Sequence, residues 1–584
     1  MKRIILILAI IGIVIACSKK DLDNNSTITN IVIPTQLGMN VLQTQKLDVN
    51  VFPSNTNPNI EFVWSSSEPD IATVDSIGNV SASSIGSTVI TVALKEDPAI
   101  SAKCNIIVSD DIAEITDPNF LAWVLDFDTN NDGLIQKSEA AKVKELLIMQ
   151  RKIKSLAGIE CFVNLELLDC SHNELTKLDL SKNTVLREVY CAGNKIDSID
   201  ISGSESLERL NCSNNRISSI DVTHNPKLRY FACSMNNGSM SKDNYGIQEI
   251  DVTQNPELEI LEAHYLHISS IDVTQNPKLK KLDIGLSCYT LEDKFKPIEE
   301  IDLSNNPELE DLNCMGGNRT GVGLISLDLS HNPKLVTLNT YGNPRLAKLD
   351  LTKNVNLTSL ICSHNGLQEL DLTQCIKIES VTCEWNQLKN IDLRKCSELK
   401  YLNCANNMIE ELDFSNTQLG YLLAQNNRIT KINMGSKTFT TPNSSIGGND
   451  PRPYLYMKLN DNLISNIDLS KQTYLSWIEI NNNKLEHLDV SACKQLGGLY
   501  CDNNQLVDLN ITGLKEIYEL RCRNNKLHGT LNVSALSVSR MFTEGNQLKH
   551  IKVAKEFKPN ATYFFEGKSF PCFTKDPFTE WIFK

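Results

Sequence analysis

The chain has 584 residues, 41% of them hydrophobic and 22% charged, too long for one compact core and too apolar for disorder, so several domains or a repeat array are expected. Lys and Arg number 57 against 71 Asp and Glu, a net charge of −14. No long basic run is present, so the chain lacks the electrostatic footprint of a nucleic-acid binder.

At the N-terminus, Lys2 and Arg3 precede an apolar run from Ile4 to Ala16, shorter than the ~20 residues that span a bilayer. Residues 1–16 therefore read as a secretion signal. The run ends in Val14-Ile15-Ala16-Cys17, which resembles the lipobox of bacterial lipoproteins, although Val14 and Ile15 depart from its commonest form. The resemblance implies that Cys17 is acylated, becomes the mature N-terminus and anchors the protein to a membrane. Ser18-Lys19-Lys20-Asp21-Leu22-Asp23 is similar to the Lys-then-acidic tag of Bacteroidota surface lipoproteins, interrupted by Leu22. It implies an outer-membrane protein exposed at the cell surface. Losing Lys2 and Arg3 would leave 55 basic residues against 71 acidic ones, a mature charge of −16.

Beyond a polar tether over 17–29, residues 30–109 alternate apolar and polar in short runs broken by Pro, Gly, Ser and Asn, the pattern of a β-sandwich. Phe62-Val63-Trp64-Ser65-Ser66-Ser67-Glu68-Pro69-Asp70-Ile71-Ala72-Thr73-Val74-Asp75, followed by Gly78-Asn79-Val80, resembles the group-two bacterial immunoglobulin-like domain. That family supplies spacers and adhesive modules on surface proteins. Cys104 has no second Cys in this domain and reads as a buried apolar residue.

Residues 110–160 read as a helical cap, with a helical stretch from Pro118 to Met149 interrupted by Asp128-Thr129-Asn130-Asn131-Asp132-Gly133-Leu134-Ile135-Gln136-Lys137-Ser138-Glu139. This segment resembles the EF-hand calcium loop. The resemblance implies Asp128, Asn130, Asp132 and Glu139 as side-chain ligands, the Leu134 carbonyl as a fifth, and Gln136 through a water, with Gly133 allowing the sharp turn. With a single loop, a bound Ca2+ is expected to be structural. The alternative is an acidic loop that only caps the following repeats, as in internalin-type proteins.

From residue 161 to 550 the chain repeats. Leu168-Asp169-Cys170-Ser171-His172-Asn173-Glu174-Leu175 recurs as Leu210-Asn211-Cys212-Ser213-Asn214-Asn215-Arg216-Ile217, and the Asn marker returns at Asn194, Asn365, Asn386, Asn407, Asn483 and Asn504, mostly 21 residues apart. Seventeen turns of a solenoid are expected, closed by a C-terminal cap over 551–584. The pattern Leu-x-x-Leu-x-Cys-x-x-Asn-x-Leu resembles the cysteine-ladder leucine-rich repeat of the internalin family. It implies a parallel β-sheet on a concave face. The fold class expected is thus multidomain: an Ig-like β-sandwich, a helical EF-hand-like cap and a leucine-rich-repeat solenoid.

Cys recurs at the inward position 170, 191, 212, 233, 314, 362, 383, 404, 501 and 522, with Ala263, Ile284, Thr340, Ala424, Leu459, Ile480 and Thr543 there in other turns. Replacement by apolar residues argues for packing rather than metal binding. Strands ~4.8 Å apart bring neighbouring thiols close, but parallel Cβ vectors suit a disulfide poorly, so reduced thiols are expected. Cys375 and Cys396 share another repeat position, as does Cys493, and a bridge between the first two stays open.

Function should lie on outward strand positions, because the inward ones are committed to the core. Early repeats show no theme there, with Leu167, Glu188, Arg209, Tyr230 and Ile260; later ones give Tyr401, Tyr421, Tyr456 and Trp477 in consecutive turns. Tyr500 and Phe542 continue the aromatic character in the next column, Trp385 lies nearby, and Asn403, Gln425, Asn460, Asn481 and Asp502 place polar groups between them. Trp385, Tyr401, Tyr421, Tyr456, Trp477 and Tyr500 are the candidate ligand-binding residues, since large aromatics bury much area at low entropic cost. Expanded repeats near Ser239–Gln248, Leu286–Pro297 and Thr441–Pro451 mark candidate functional loops.

No zinc-binding His pair, phosphate loop or nucleophile elbow is present, and the recurring Asp179, Asp200 and Asp221 suit turns. A non-catalytic surface protein is expected, with either a protein ligand in adhesion or a glycan captured for uptake.

Overall fold

The computed structural model describes residues 28–54, 60–236, 246–286, 296–317, 323–435, 455–565 and 568–584. The signal segment, Cys17 and the Thr441–Pro451 expansion lie outside the described residues, as does most of the Ser239–Gln248 and Leu286–Pro297 expansions. Among the described residues no helix is long and apolar enough to cross a membrane. Two compact units divide the chain: one holds the residues up to Glu114 together with Val124–Lys142, the other Ile115–Trp123 and Val143–Lys584.

The first unit is a β-sandwich. One sheet runs Gln36–Asn40, Ser101–Ser109, Gly86–Leu94, Phe62–Ser66, and the other Thr44–Lys46, Asn79–Ala82, Ala72–Val74. The alternation in Gly86–Leu94 and Ser101–Ser109 turns Ile90, Val92, Cys104, Ile106 and Val108 inward, where they pack with Ile31, Met39 and Val80. Cys104 is fully buried, as its apolar reading requires.

The helical cap is the main correction. Helix is confined to Pro118–Val124, a 3-10 turn at Leu125–Phe127 and the four residues Lys137–Ala140. Beyond them Glu145–Leu147 is a strand that pairs in parallel with Leu167–Asp169, so the solenoid sheet begins inside the segment read as helical. Val143, Leu146 and Ile148 are buried and Leu147 exposed; pairing against the first repeat overrides a weak helical preference. Asp117 anchors this start, accepting the N–H groups of Asn119 (2.8 Å) and Phe120 (3.1 Å) at the helix and those of Lys154 (2.7 Å) and Ser155 (3.2 Å) in the first turn.

The solenoid carries a 19-stranded sheet. Seventeen of its strands, from Leu167–Asp169 to Ser537–Phe542, are the expected turns; Glu145–Leu147 and Phe573–Thr574 extend the two ends. At the C-terminal end, Gln547–Val553 pairs in parallel with His528–Asn532 and with Glu580–Phe583. The inward ladder position is buried in every turn, whether Cys, Ala, Ile, Leu or Thr. All described cysteines are free, including Cys375 and Cys396, and burial raises the Cys362 and Cys404 thiols to about 12.

Asparagine does the bonding between turns. Asn215 donates through Nδ2 to the carbonyls of Cys191 and Cys212, both at 3.0 Å, and accepts the Ile196 N–H through Oδ1 at 3.0 Å. A second asparagine row escaped the sequence reading: Asn183 donates to the Ile159 and Phe162 carbonyls (2.9 and 3.0 Å), and Asn225, Asn255 and Asn276 repeat the device. Cys375, Cys396 and Cys493 occupy this second row, their thiols directed at backbone carbonyls. The recurrent aspartates close turns, as at Asp221, whose Oδ1 accepts the Thr223 N–H at 2.9 Å.

Candidate functional site

The outward columns on the sheet keep the register that the repeats predict. Tyr401 pairs with Tyr421, Tyr421 with Tyr456, Tyr456 with Trp477, and Trp477 with Gly498. In the next column Glu479 pairs with Tyr500, Tyr500 with Arg521 and Arg521 with Phe542.

The rings do not stand apart. Tyr401 stacks on Tyr421 with centroids 5.4 Å apart and planes 11° from parallel, and Tyr421 on Tyr456 at 4.7 Å and 13°. Their faces are thus largely spent on one another, leaving edges and hydroxyl groups to meet a ligand. Trp477 breaks the stack. A Cβ on Gly498 would lie 2.3–2.4 Å from Cδ2, Cε2 and Cε3 of the indole, so the ring leans over the glycine backbone. It meets Tyr500 edge-on, at 5.3 Å and 72°.

Polar groups fix these rings. The Tyr456 hydroxyl donates to Glu479 Oε1 at 2.8 Å, and Asn460 Nδ2 donates to Oε2 at 3.1 Å. Burial, and then the Glu479 carboxylate, raise the Tyr456 phenol well above its ordinary value; burial pushes Tyr500 up to about 12. Both phenols are neutral donors at physiological pH. Asn460, Asn481 and Asp502 each accept, through a side-chain oxygen, the backbone N–H of the equivalent residue one turn on, at 2.8, 2.8 and 2.6 Å. These groups are therefore partly committed to the scaffold.

Trp385 is not part of the column. It sits at the bend with φ 56°, more than half exposed, stacked on His364 at 5.6 Å and 16°. Sequence reasoning missed the arginines of the last turns: Arg521 lies 4.5 Å over the Tyr500 ring and Arg540 4.5 Å over Tyr518, both ion-paired to the buried Glu519. Extending the same columns by two repeats is the signal that finds them.

Ser234, His264 and Asp283 come together, yet Ser234 Oγ at 2.9 Å and Asp283 Oδ2 at 3.1 Å both face Nδ1 of His264. A nucleophile relay needs the two partners on opposite ring nitrogens, and Ser234 is buried.

In the first unit, the loop read as a calcium site is held by its own carboxylates. Asp128 accepts the N–H groups of Asn131 (2.7 Å) and Gly133 (2.8 Å); Asp132 accepts the Leu134 N–H (2.9 Å) and Gln136 Nε2 (2.6 Å). Glu139 Oε1 accepts the Thr129 N–H and hydroxyl, each at 2.7 Å, and Oε2 the Gln136 N–H at 3.0 Å. Gly133 has φ 80°, and Ile135 is buried, its carbonyl accepting the Ala113 N–H at 2.8 Å. Gln136 Oε1 is buried without a hydrogen-bond partner. Among the described residues no three His, Cys, Asp or Glu side chains are gathered to hold a metal ion.

Residues 28–103 match the family model of the bacterial Ig-like domain, group 2. Among solved structures, the chain is similar to the functional domain of InlJ from Listeria monocytogenes, which includes a cysteine ladder: identity is 25%, with 76% of this chain and 83% of that chain covered at a TM-score of 0.50. It is also similar in fold to YopM from Yersinia enterocolitica, at 18% identity over 80% and 99% of the two chains, TM-score 0.51. No curated protein matches the chain. The solenoid is an internalin-like cysteine-ladder leucine-rich repeat. Solenoids of this type present an extended concave surface built from one strand per turn.

Proposed function

We propose that the protein is a non-catalytic adhesion or docking module, lipid-anchored through Cys17 to the outer membrane, displayed at the cell surface, and binding a protein ligand on the sheet face of its later repeats. The carrying observation is the pre-packed aromatic column from Tyr401 to Trp477, flanked by Tyr500 and Arg521. Tyr, Trp and Arg dominate binding hot spots, and rings already held by neighbours lose little freedom on binding. Glycan capture is the second reading, favoured by one observation: the indole of Trp477 leans over a glycine and is half-buried, the arrangement of a stacking platform.

A glycan array, and in parallel quantitative capture of surface proteins, each run with the wild type and a Tyr456→Ala/Trp477→Ala variant, decide between them. A silent array with protein capture lost in the variant is expected. Sugar binding that disappears in the variant would overturn the protein reading.

The calcium reading extends this proposal. Asp128, Asn130, Asp132 and Glu139 are hard oxygen donors and Gly133 supplies the turn, so the donor types suit the ion once the carboxylates turn from the N–H groups they now accept. Bound there with the Leu134 carbonyl and a water near Gln136, Ca2+ would neutralise the three carboxylates and brace the loop.

A further inference from the structure

Resting on the reading of the sheet face as a protein-binding surface, we infer that the partner is a basic protein segment that lies along the acidic outward columns of the earlier repeats and seats its apolar part on the aromatic patch.

The observation is a segregation of charge along one continuous sheet. In the three outward columns that begin at Tyr401, Asn403 and Ala405 and end at Arg540, Phe542 and Glu544, four cations meet four carboxylates, and the cations are spent locally. Lys458 lies 3.8 Å from Glu479, Arg523 pairs with Asp502 at 2.7 Å, and Arg521 and Arg540 share Glu519. That half of the face is electrically balanced and ring-rich.

Over the strands from Glu188 to Thr382 the same positions carry Glu188, Glu262, Asp283, Asp311 and Glu384 against only Arg209 and Lys281. Lys281 binds Glu262 at 2.6 Å, and Arg209 is turned to Tyr190, its Nε 3.0 Å from the hydroxyl, and to the ring of Tyr230 at 4.8 Å. Three of the other four carboxylates have neutral partners: the Tyr190 hydroxyl donates to Glu188 at 2.7 Å, Asn313 Nδ2 to Asp283 at 2.9 Å, and the Thr337 hydroxyl to Asp311 at 2.5 Å, while His264 stands 3.1 Å from Asp283.

Neutral donors orient a carboxylate without cancelling its charge, so this half keeps a net negative field. The chain as a whole, at −14, reinforces it. A nucleic acid or an acidic protein would be repelled from this half, whereas lysines and arginines of a partner would complete the unpaired acids. The aromatic half supplies the desolvated anchor, and the acidic half supplies steering and register.

The test uses the full mature chain and two labelled synthetic peptides, a block of lysines or a block of glutamates joined to the same Trp-Leu-Trp segment, followed by fluorescence anisotropy across a salt series. The lysine peptide should bind at least about tenfold tighter at low salt, and lose about tenfold or more as salt rises through the range where the Debye length falls below about 5 Å. Glu188→Gln/Glu384→Gln should weaken it severalfold, and Tyr456→Ala/Trp477→Ala should weaken both peptides. Should a variant fail to fold, the salt series on the wild type still decides. Equal binding of the two peptides, both weakened by the aromatic variant, overturns the basic partner while leaving the sheet face a protein-binding surface. No binding by either peptide also overturns it, and the reading beneath is then judged by the array and capture experiment alone.

Discussion

Trp477 and Gly498 form a lock: the indole of one occupies the volume that a side chain on the other would need, with Cδ2 2.3 Å from the position of a Cβ. Gly498 has the register place that Tyr401, Tyr421 and Tyr456 fill in earlier turns. Its missing side chain is what lets the tryptophan leave the stack.

Gly498→Ala is therefore expected to displace the indole without removing it. The cost should be about 1–3 kcal/mol, typical of overpacking, read as a lowered urea midpoint with an unchanged slope. Trp477 emission should shift to the red, taken as the difference from a Trp477→Phe background. An unshifted spectrum would show that the ring does not rest on the glycine.

Much of the solenoid was legible because one residue type marked each turn. A 21-residue period with Asn at the bend determines where every strand falls, and register then aligns Tyr401, Tyr421, Tyr456 and Trp477 without further information. What the rings do was not legible, since stacking against a neighbour or leaning over Gly498 depends on contacts between turns. The segment from Pro118 to Met149 failed for a related reason: buried Leu146 and Ile148 on either side of exposed Leu147 form a strand pattern only when Leu167–Asp169 is present to pair with. The second asparagine row was visible as Asn183, Asn225 and Asn255, but its purpose lies in carbonyls one turn away.

Removing an inner asparagine should be far costlier than removing a surface residue. In Asn215→Leu the N–H of Ile196 loses its acceptor, and the carbonyls of Cys191 and Cys212 each lose one of two donors, Asn194 and Asn236 supplying the other. A buried orphan costs about 1–3 kcal/mol, so a loss of at least that order is expected, localised to these turns. Hydrogen exchange should show protection falling around residues 191–217 first; a uniform change across the solenoid would count against the local-bonding account.

Acid should weaken the turns within a defined window. Hydrogen bonds from Arg394 and then its backbone N–H hold Asp392 down at about 2, and the Thr223 hydroxyl and N–H likewise lower Asp221. A carboxyl whose folded value lies below its unfolded value of about 3.9 contributes stability present in full above that value and lost as pH falls through the folded one. Melting temperature should be flat near neutrality and drop between about pH 4 and pH 2. Asp392→Asn should flatten part of that drop, and an identical acid profile in the variant would remove Asp392 from the account.

Thiol chemistry separates packing from covalent cross-linking. The ladder thiols are free and buried, and burial raises Cys404 to about 12 and Cys375 to about 11, so native protein should react slowly with thiol reagents. Denatured, unreduced protein should release them all; recovery of only a few would establish disulfides. Cys404→Ala is expected to cost about 1–2 kcal/mol and Cys404→Leu as much or more, because Cys404 is fully buried between Cys383 and Ala424 of the adjacent turns and its place is already filled by the thiol.

Calcium should act on the first unit as a brace. If Asp128, Asp132 and Glu139 take the ion, folded protein binds it and unfolded protein does not, so a hundredfold excess over the dissociation constant adds about 2.7 kcal/mol. The transition of that unit should move up in calcium and down in a chelator, and Asp132→Ala should abolish the difference while leaving the solenoid transition in place. The unpartnered Gln136 Oε1 supplies a second reading of the same event: its amide environment should change in the NMR spectrum on adding calcium. Coincident melting curves with and without chelator, together with an unmoved Gln136 amide, would leave the loop as a self-capped turn whose carboxylates serve its own donors, among them the N–H groups of Asn131, Gly133 and Leu134.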